Sequence, residues 1–155
     1  SGSCVKAPCS FAPFTLWHED VVRRASQLFD KIIVAIGVNS SKKYMFSLEE
    51  RKQMLETVFS DLENIELVSF QGLTADFCAE VGAKWILRGL RNSSDFEYEY
   101  TIDQMNKKLA PSLETTILFT SEEYSSISST VVREILSNKG DVSAFVPKVV
   151  SEFKK

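Results

Sequence analysis

A thiol and the chain's single imidazole, Cys9 and His18, stand nine positions apart in the segment Ala7-Pro8-Cys9-Ser10-Phe11-Ala12-Pro13-Phe14-Thr15-Leu16-Trp17-His18. A Cys–His pair is the smallest set of side chains that supports acyl transfer. The thiolate attacks an ester carbonyl, the imidazole moves the proton, and backbone N–H groups hold the developing oxyanion. Cys9 follows Pro8 at the end of a strand, and a helix N-terminus just beyond it would lower a thiol pKa. The turn at Ser10 and Phe11 would supply the N–H groups for an oxyanion or another anion. Ala7, Ala12, Trp17 and Thr74 are the expected pocket lining, and Trp17 brings an indole with roughly 150–250 Å² of buriable surface. Glu19 and Asp20 are expected to face elsewhere, which leaves His18 without an orienting carboxylate and makes deacylation slow. Plainer roles exist for each residue: a buried structural thiol for Cys9, core packing for Trp17, and a strand-end lysine reaching water for Lys6.

The elements that must position these groups alternate along the chain. Strands are predicted at 4–7, 31–38, 65–70, 85–87 and 116–119. Helices are predicted at 18–29, 47–58, 74–81, 95–109 and 128–136, with a short one after Pro147. Lys31 to Val38 is an unbroken β-branched and apolar run, as a parallel strand buried on both faces requires. Ser47 and Glu50 form a capping box ahead of the second helix, and Gly82 stops the third. Five strand–helix units predict a doubly wound α/β domain with a five-stranded parallel sheet. In such a fold the turn after the first strand borders the ligand crevice.

Five separated motifs give a resemblance. Ser10-Phe11-x-Pro13-Phe14-Thr15-x-x-His18 resembles the T/S-F-D-P-x-T-x-G-H signature of the nucleotidyltransferase superfamily. Ser41-Lys42-Lys43, Leu87-Arg88-Gly89-Leu90-Arg91, Asp95-Phe96-Glu97-Tyr98-Glu99 and Ile127-Ser128-Ser129-Thr130-Val131-Val132-Arg133 follow in order. Together they resemble the phosphopantetheine adenylyltransferase family over nearly the whole chain. The resemblance implies a Rossmann-like nucleotidyltransferase fold, a closed homo-oligomer, and adenylyl transfer from ATP with Mg²⁺ held mainly by phosphates. It also implies that Lys42, Arg88 and Arg91 surround phosphates. Ser128, Ser129 and Thr130 would meet the triphosphate at a helix N-terminus. Ser10 would bind phosphate, His18 would donate to the α-phosphate, Glu99 would lie near the nucleotide and Thr74 near the pantetheine arm. Taken singly, Lys42 would be a solvated loop residue, Ser128 to Thr130 an ordinary cap cluster, and Glu97 and Glu99 surface charges favoured by a helix dipole.

The chain departs from that family at one place. Members have Gly where Cys9 and Trp17 stand and Asp where Ala12 stands. An aromatic is usual at Ala7, an apolar residue at Lys6, and Asn or another residue at Leu16. If the indole points into the cleft, adenosine is excluded. Clustered departures of this kind read as an engineered cysteine esterase or acyl-transfer site on an adenylyltransferase scaffold. Cys9 would be the nucleophile and His18 the base, with a small ester or acyl substrate and no cofactor. The alternatives are the family's own reaction, making dephospho-coenzyme A and pyrophosphate; an imine-forming amine at Lys6; and a catalytically dead scaffold.

Composition bounds the rest. The 155 residues fit one domain, read as spanning 1–155, with Ser1-Gly2-Ser3 taken as a cloning scar. A net charge of −3 and a pI near 5.3 offer no nucleic-acid surface. No stretch approaches the ~20 apolar residues of a membrane span. A cytoplasmic location is expected, with no metal site in the protein and no disulfide from the three cysteines.

Overall fold

The computed structural model describes residues 3–9, 11, 13–39 and 44–153, and residues 6–9 by their backbone path alone. Its strands are β1 (Ser3–Cys9), β2 (Lys31–Gly37), β3 (Ile65–Phe70), β4 (Trp85–Leu90) and β5 (Glu114–Phe119). They form one parallel sheet in the order β3-β2-β1-β4-β5. The helices are α1 (Leu16–Ala25), α2 (Leu48–Val58), α3 (Thr74–Glu80), α4 (Ser93–Leu109), α5 (Ser129–Ser137) and α6 (Lys148–Ser151), with a 3₁₀ turn at Glu122–Tyr124.

Side-chain alternation along the central strands divides the core in two. Cys4, Ile32, Val34, Ile36 and Leu87 pack with Val21, Val22 and Ala25 of α1 and with Met54 and Leu55 of α2. Val5, Ile33, Ala35 and Ile86 pack on the other face with Phe77 and Cys78 of α3. Both faces are covered, which is the doubly wound architecture that the alternating pattern predicts. The Ser47–Glu50 capping box has both arms: Glu50 N–H donates to Ser47 Oγ at 3.1 Å, and Ser47 N–H to Glu50 Oε1 at 2.7 Å. Gly82, past the end of α3, takes φ +71°, which favours glycine.

Several boundaries differ from the sequence expectation. α1 begins two residues before His18 and ends at Ala25. Residues 26–29 form a turn pinned by Asn64, whose side-chain amide donates to the carbonyls of Ser26 and Phe29 at 2.8 and 3.1 Å. Ser3 is no appendage: it opens β1 and pairs with Lys31. β4 runs three residues further than expected, through Arg88, Gly89 and Leu90.

That extension shapes the site. β1 pairs with β4 only from Cys4 to Lys6, whereas β4 stays paired with β5 through Leu90. On its other side, β1 shifts register against β2 between Lys6 and Cys9. Pro8 lies within that shift and has no N–H to give a ladder. So β1 and β4 part beyond Lys6 and Leu87. Sheet order reverses between these two strands, and the crevice opens at their carboxyl ends.

Candidate functional site at the β1–β4 crevice

One wall of the crevice is the first turn of α1. Thr15 is its N-cap and is 1 % exposed. Its backbone N–H donates to His18 Nδ1 at 3.0 Å, and its Oγ1 lies 3.0 Å from the same nitrogen. An Nδ1 that accepts carries no proton, so the neutral ring holds its proton on Nε2. The imidazole is 3 % exposed. It stacks on Phe14 (centroids 5.5 Å, 18° between planes) and meets Phe11 and Trp17 edge-on at 5.1 and 4.9 Å. Phe11 adopts φ 49°, a left-handed conformation unfavourable for an aromatic residue, while its ring is buried in the core. Glu19 and Asp20 do face elsewhere. Glu19 pairs with Arg23, and Asp20 takes Arg24 and the backbone N–H and hydroxyl of Ser121. The residue that orients His18 is therefore Thr15. Its place three positions ahead of the histidine, at a helix start, is the capping-box spacing that could have revealed it.

The opposite wall is the end of β4. Residues alternate there as in any strand. Gly89 follows Leu87 in facing α1, and Arg88 faces α4. Trp17 fills the space at Gly89: a Cβ built on that glycine would lie 3.2 Å from Trp17 Cζ2 and 2.9 Å from Val21 Cγ2. The Arg91 guanidinium stands over the indole at 5.2 Å. Arg91 is itself held by Asp95 Oδ2 at 3.1 Å and by the Ile127 carbonyl at 2.8 Å, and its backbone N–H donates to the same carboxylate at 3.0 Å. Arg88 pairs with Glu99 of α4 at 2.8 Å, with both side chains largely buried. Arg88, inside β4, is thus tied to α4, while Arg91, one residue past the strand, stands over the indole.

The remaining candidates stand along the same edge. Ser128 caps α5, accepting from Val131 N–H at 3.5 Å, and Ser129 opens that helix. Thr130 is exposed, and its Oγ1 accepts from Arg133 at 3.1 Å. Thr74 opens α3, after β3. Beside Arg91, a cavity of about 390 Å³ is lined by Leu90, Asn92, Ser93, Phe96 and Phe119. Ser10, Ala12 and Lys42 lie outside the described residues, as do the side chains of Lys6, Ala7 and Cys9. Cys78 is a buried core thiol, and desolvation pushes its pKa up to about 11.

A cytidylyltransferase-like family model matches residues 7–135. A phosphopantetheine adenylyltransferase of Flavobacterium psychrophilum is 49 % identical over 143 residues, covering 92 % of this chain and 94 % of the relative. One from Leptospira biflexa is 50 % identical over 145 residues (94 % and 91 %), and one from Staphylococcus carnosus 47 % over 148 (96 % and 92 %). A solved Vibrio parahaemolyticus structure, assigned as a nicotinate-nucleotide adenylyltransferase, matches at TM-score 0.75 and 16 % identity, covering 98 % of this chain and 90 % of that one, and shows the fold. These relatives overturn the cysteine-esterase expectation. Proteins sharing about half of the residues, end to end, carry the name of a transferase and not of a hydrolase. With Nδ1 accepting from the Thr15 N–H, the neutral ring carries its proton on Nε2. The chain belongs to the cytidylyltransferase-like family and, within it, to the phosphopantetheine adenylyltransferases.

Proposed function

We propose that the chain transfers the adenylyl group of ATP to 4'-phosphopantetheine. A phosphate oxygen of the acceptor attacks the α-phosphorus, the bond to the β-phosphate oxygen breaks, and pyrophosphate leaves with dephospho-coenzyme A as product. The observation that carries this reading is identity of 47–50 % along 92–96 % of the chain with enzymes of that name.

The chain's own groups suit the task. In-line displacement at phosphorus needs positioning and charge stabilisation rather than a protein nucleophile. His18, held by Thr15 with its proton on Nε2, donates to the α-phosphate. Arg91, fixed by Asp95 and Ile127, offers a pre-organised cation at the crevice. Ser128, Ser129 and Thr130 present hydroxyls and the free N–H groups of the α5 N-terminus to the leaving pyrophosphate. Lys42 and Ser10 add phosphate contacts, Glu99 stands on the nucleotide side, and Thr74 near the pantetheine arm. Mg²⁺ would arrive bound to the triphosphate, held mainly by its oxygens.

Self-association belongs to the same reading. α4 is 17 residues long and buries none of them, while Tyr98, Tyr100, Met105 and Leu109 are each more than half exposed. A helix with that much apolar surface suits contact with further copies of the chain. A cytoplasmic location also belongs here; no helix among the described residues is long and apolar enough to cross a membrane.

The decisive experiment incubates the protein with millimolar ATP, Mg²⁺ and 4'-phosphopantetheine and detects dephospho-coenzyme A by mass spectrometry. Product that disappears in His18→Ala is expected. Absence of product in the unmodified protein at saturating nucleotide overturns the reading.

A further inference from the structure

Trp17 carries an inference that the family assignment does not supply. Its indole lies in the crevice between the first turn of α1 and the end of β4, at the point where strand order reverses. The benzo edge faces Gly89, where an added Cβ would stand 3.2 Å from Cζ2 and press on it. The guanidinium of Arg91 stands over the ring at 5.2 Å. Asp95 and the Ile127 carbonyl hold that guanidinium from behind, so Arg91 is not there because the indole attracts it. A flat aromatic bicycle beneath a fixed cation, against bare main chain, is also what a purine base would need at this place. An indole seated there leaves that space to no second planar group.

We propose that Trp17 is a specificity-determining gate of the nucleotide half-site: a nucleoside triphosphate binds only after the indole has left the space between Gly89 and Arg91. The inference rests on the adenylyl-transfer reading above. The gate weakens nucleotide binding and leaves the phosphopantetheine half-site alone. Trp17 is the second residue of α1 and half-buried, so a rotation about its side-chain bonds carries the ring toward solvent without unwinding the helix. Binding to the open form alone divides the apparent affinity by the open fraction; a ring seated about 90 % of the time weakens ATP about tenfold.

Calorimetry with ATP on the unmodified protein, Trp17→Gly and Trp17→Ala tests this, with Trp17→Ala retaining good helix propensity should the glycine variant be unstable. Circular dichroism confirms that each is folded. At least about tenfold tighter ATP binding in both variants is expected, with the affinity for 4'-phosphopantetheine unchanged. In a Trp85→Phe background, which leaves Trp17 as the sole tryptophan, saturating ATP should shift the emission toward that of a solvated indole. Equal ATP affinity in all three proteins, with dephospho-coenzyme A still formed, overturns the gate and leaves the transferase reading intact. Folded proteins that neither bind ATP nor form product overturn both.

Discussion

The two walls of the crevice are built on different principles. The α1 wall is aromatic: His18 is enclosed by Phe11, Phe14 and Trp17, and its Nδ1 is held by the cap residue Thr15. The β4 wall is ionic. Arg91 is held by Asp95 at the crevice and Arg88 by Glu99 toward α4, two pairs set before any ligand arrives. On the ionic wall the groups that handle charge are pre-organised, and a ligand needs to move little. On the aromatic wall, an indole fills the space where a side chain at Gly89 would stand. Charge complementarity and free volume are separate requirements of a nucleotide site, and the proposed gate sets one against the other.

The largest effect should come from the ionic wall. Arg91→Ala removes a fixed cation from a developing phosphoryl charge, and kcat should fall by about a hundredfold to a thousandfold. Arg91→Lys should recover little, because an ammonium cannot engage Asp95 and the Ile127 carbonyl together in a planar fork. Steady-state rates of pyrophosphate release measure both. A loss no larger than that from removing an exposed cation such as Lys148 would show that the wall's order serves folding and not transfer.

Gly89→Ala puts the two walls in direct conflict. The new methyl would stand 2.9 Å from Val21 and 3.2 Å from the indole, and overpacking of this kind costs about 1–3 kcal/mol. Combined with Trp17→Gly, the cost should fall, since one of the two obstacles is gone; Val21 keeps the remainder. Chemical denaturation of the four proteins in the cycle should give a coupling of at least about 0.5 kcal/mol. Additive effects would mean that the ring does not rest against Gly89 in solution.

Thr15 matters in a smaller and more specific way. Thr15→Ala removes the N-cap hydroxyl and should cost about 1 kcal/mol. It keeps the backbone N–H that binds Nδ1, so the tautomer of His18 survives and the loss of kcat should stay modest. Thr15→Ser should restore both. A shift of the acidic limb of the kcat profile in Thr15→Ala, reversed by serine, would mark Thr15 as a positioning residue for His18 rather than a cap alone.

How much of this was readable in advance follows from what each feature depends on. The sheet, its order and the capped α2 come from periodicity and local chemistry, and both are written in short windows such as residues 31–37 and Ser47–Glu50. The motifs follow the strands in order, and the structure puts Arg88 in β4, Arg91 just past it, His18 in the first turn of α1 and Ser128 at the cap of α5. That Arg88 would pair with Glu99 inside a longer β4 while Arg91 stands over Trp17 was not readable, because β4 was expected to stop at Leu87. Leu28 and Phe29 extend the apolar period past α1, yet Asn64, from a distant turn, ends the helix by taking the carbonyls. The direction of the indole depends on Gly89, Val21 and Arg91 meeting in space, which no spacing along the chain encodes. The esterase expectation failed for a related reason: replaced glycines in the turn outweighed the retained cations, although about half of the chain is shared with adenylyltransferases.

The smallest predicted effect is a control on the opposite face of the sheet. Cys78 packs with Val5, Ile33 and Ile86, the strands standing between it and α1. Its thiol ordinarily ionises near 9.0, and desolvation raises it to about 11 in the folded protein. Between those values the unfolded chain releases a proton that the native chain keeps. Stability should therefore fall as pH rises from 9.0 toward 11, and the thiol should leave neutral stability unmoved. Comparing unfolding curves with those of Cys78→Ala isolates that slope. Trp17→Gly should leave the slope unchanged, because the gate moves on the α1 side and the central strands do not have to shift. An altered slope would mean that seating the indole strains the sheet itself, and the gate would then act on both faces of the fold.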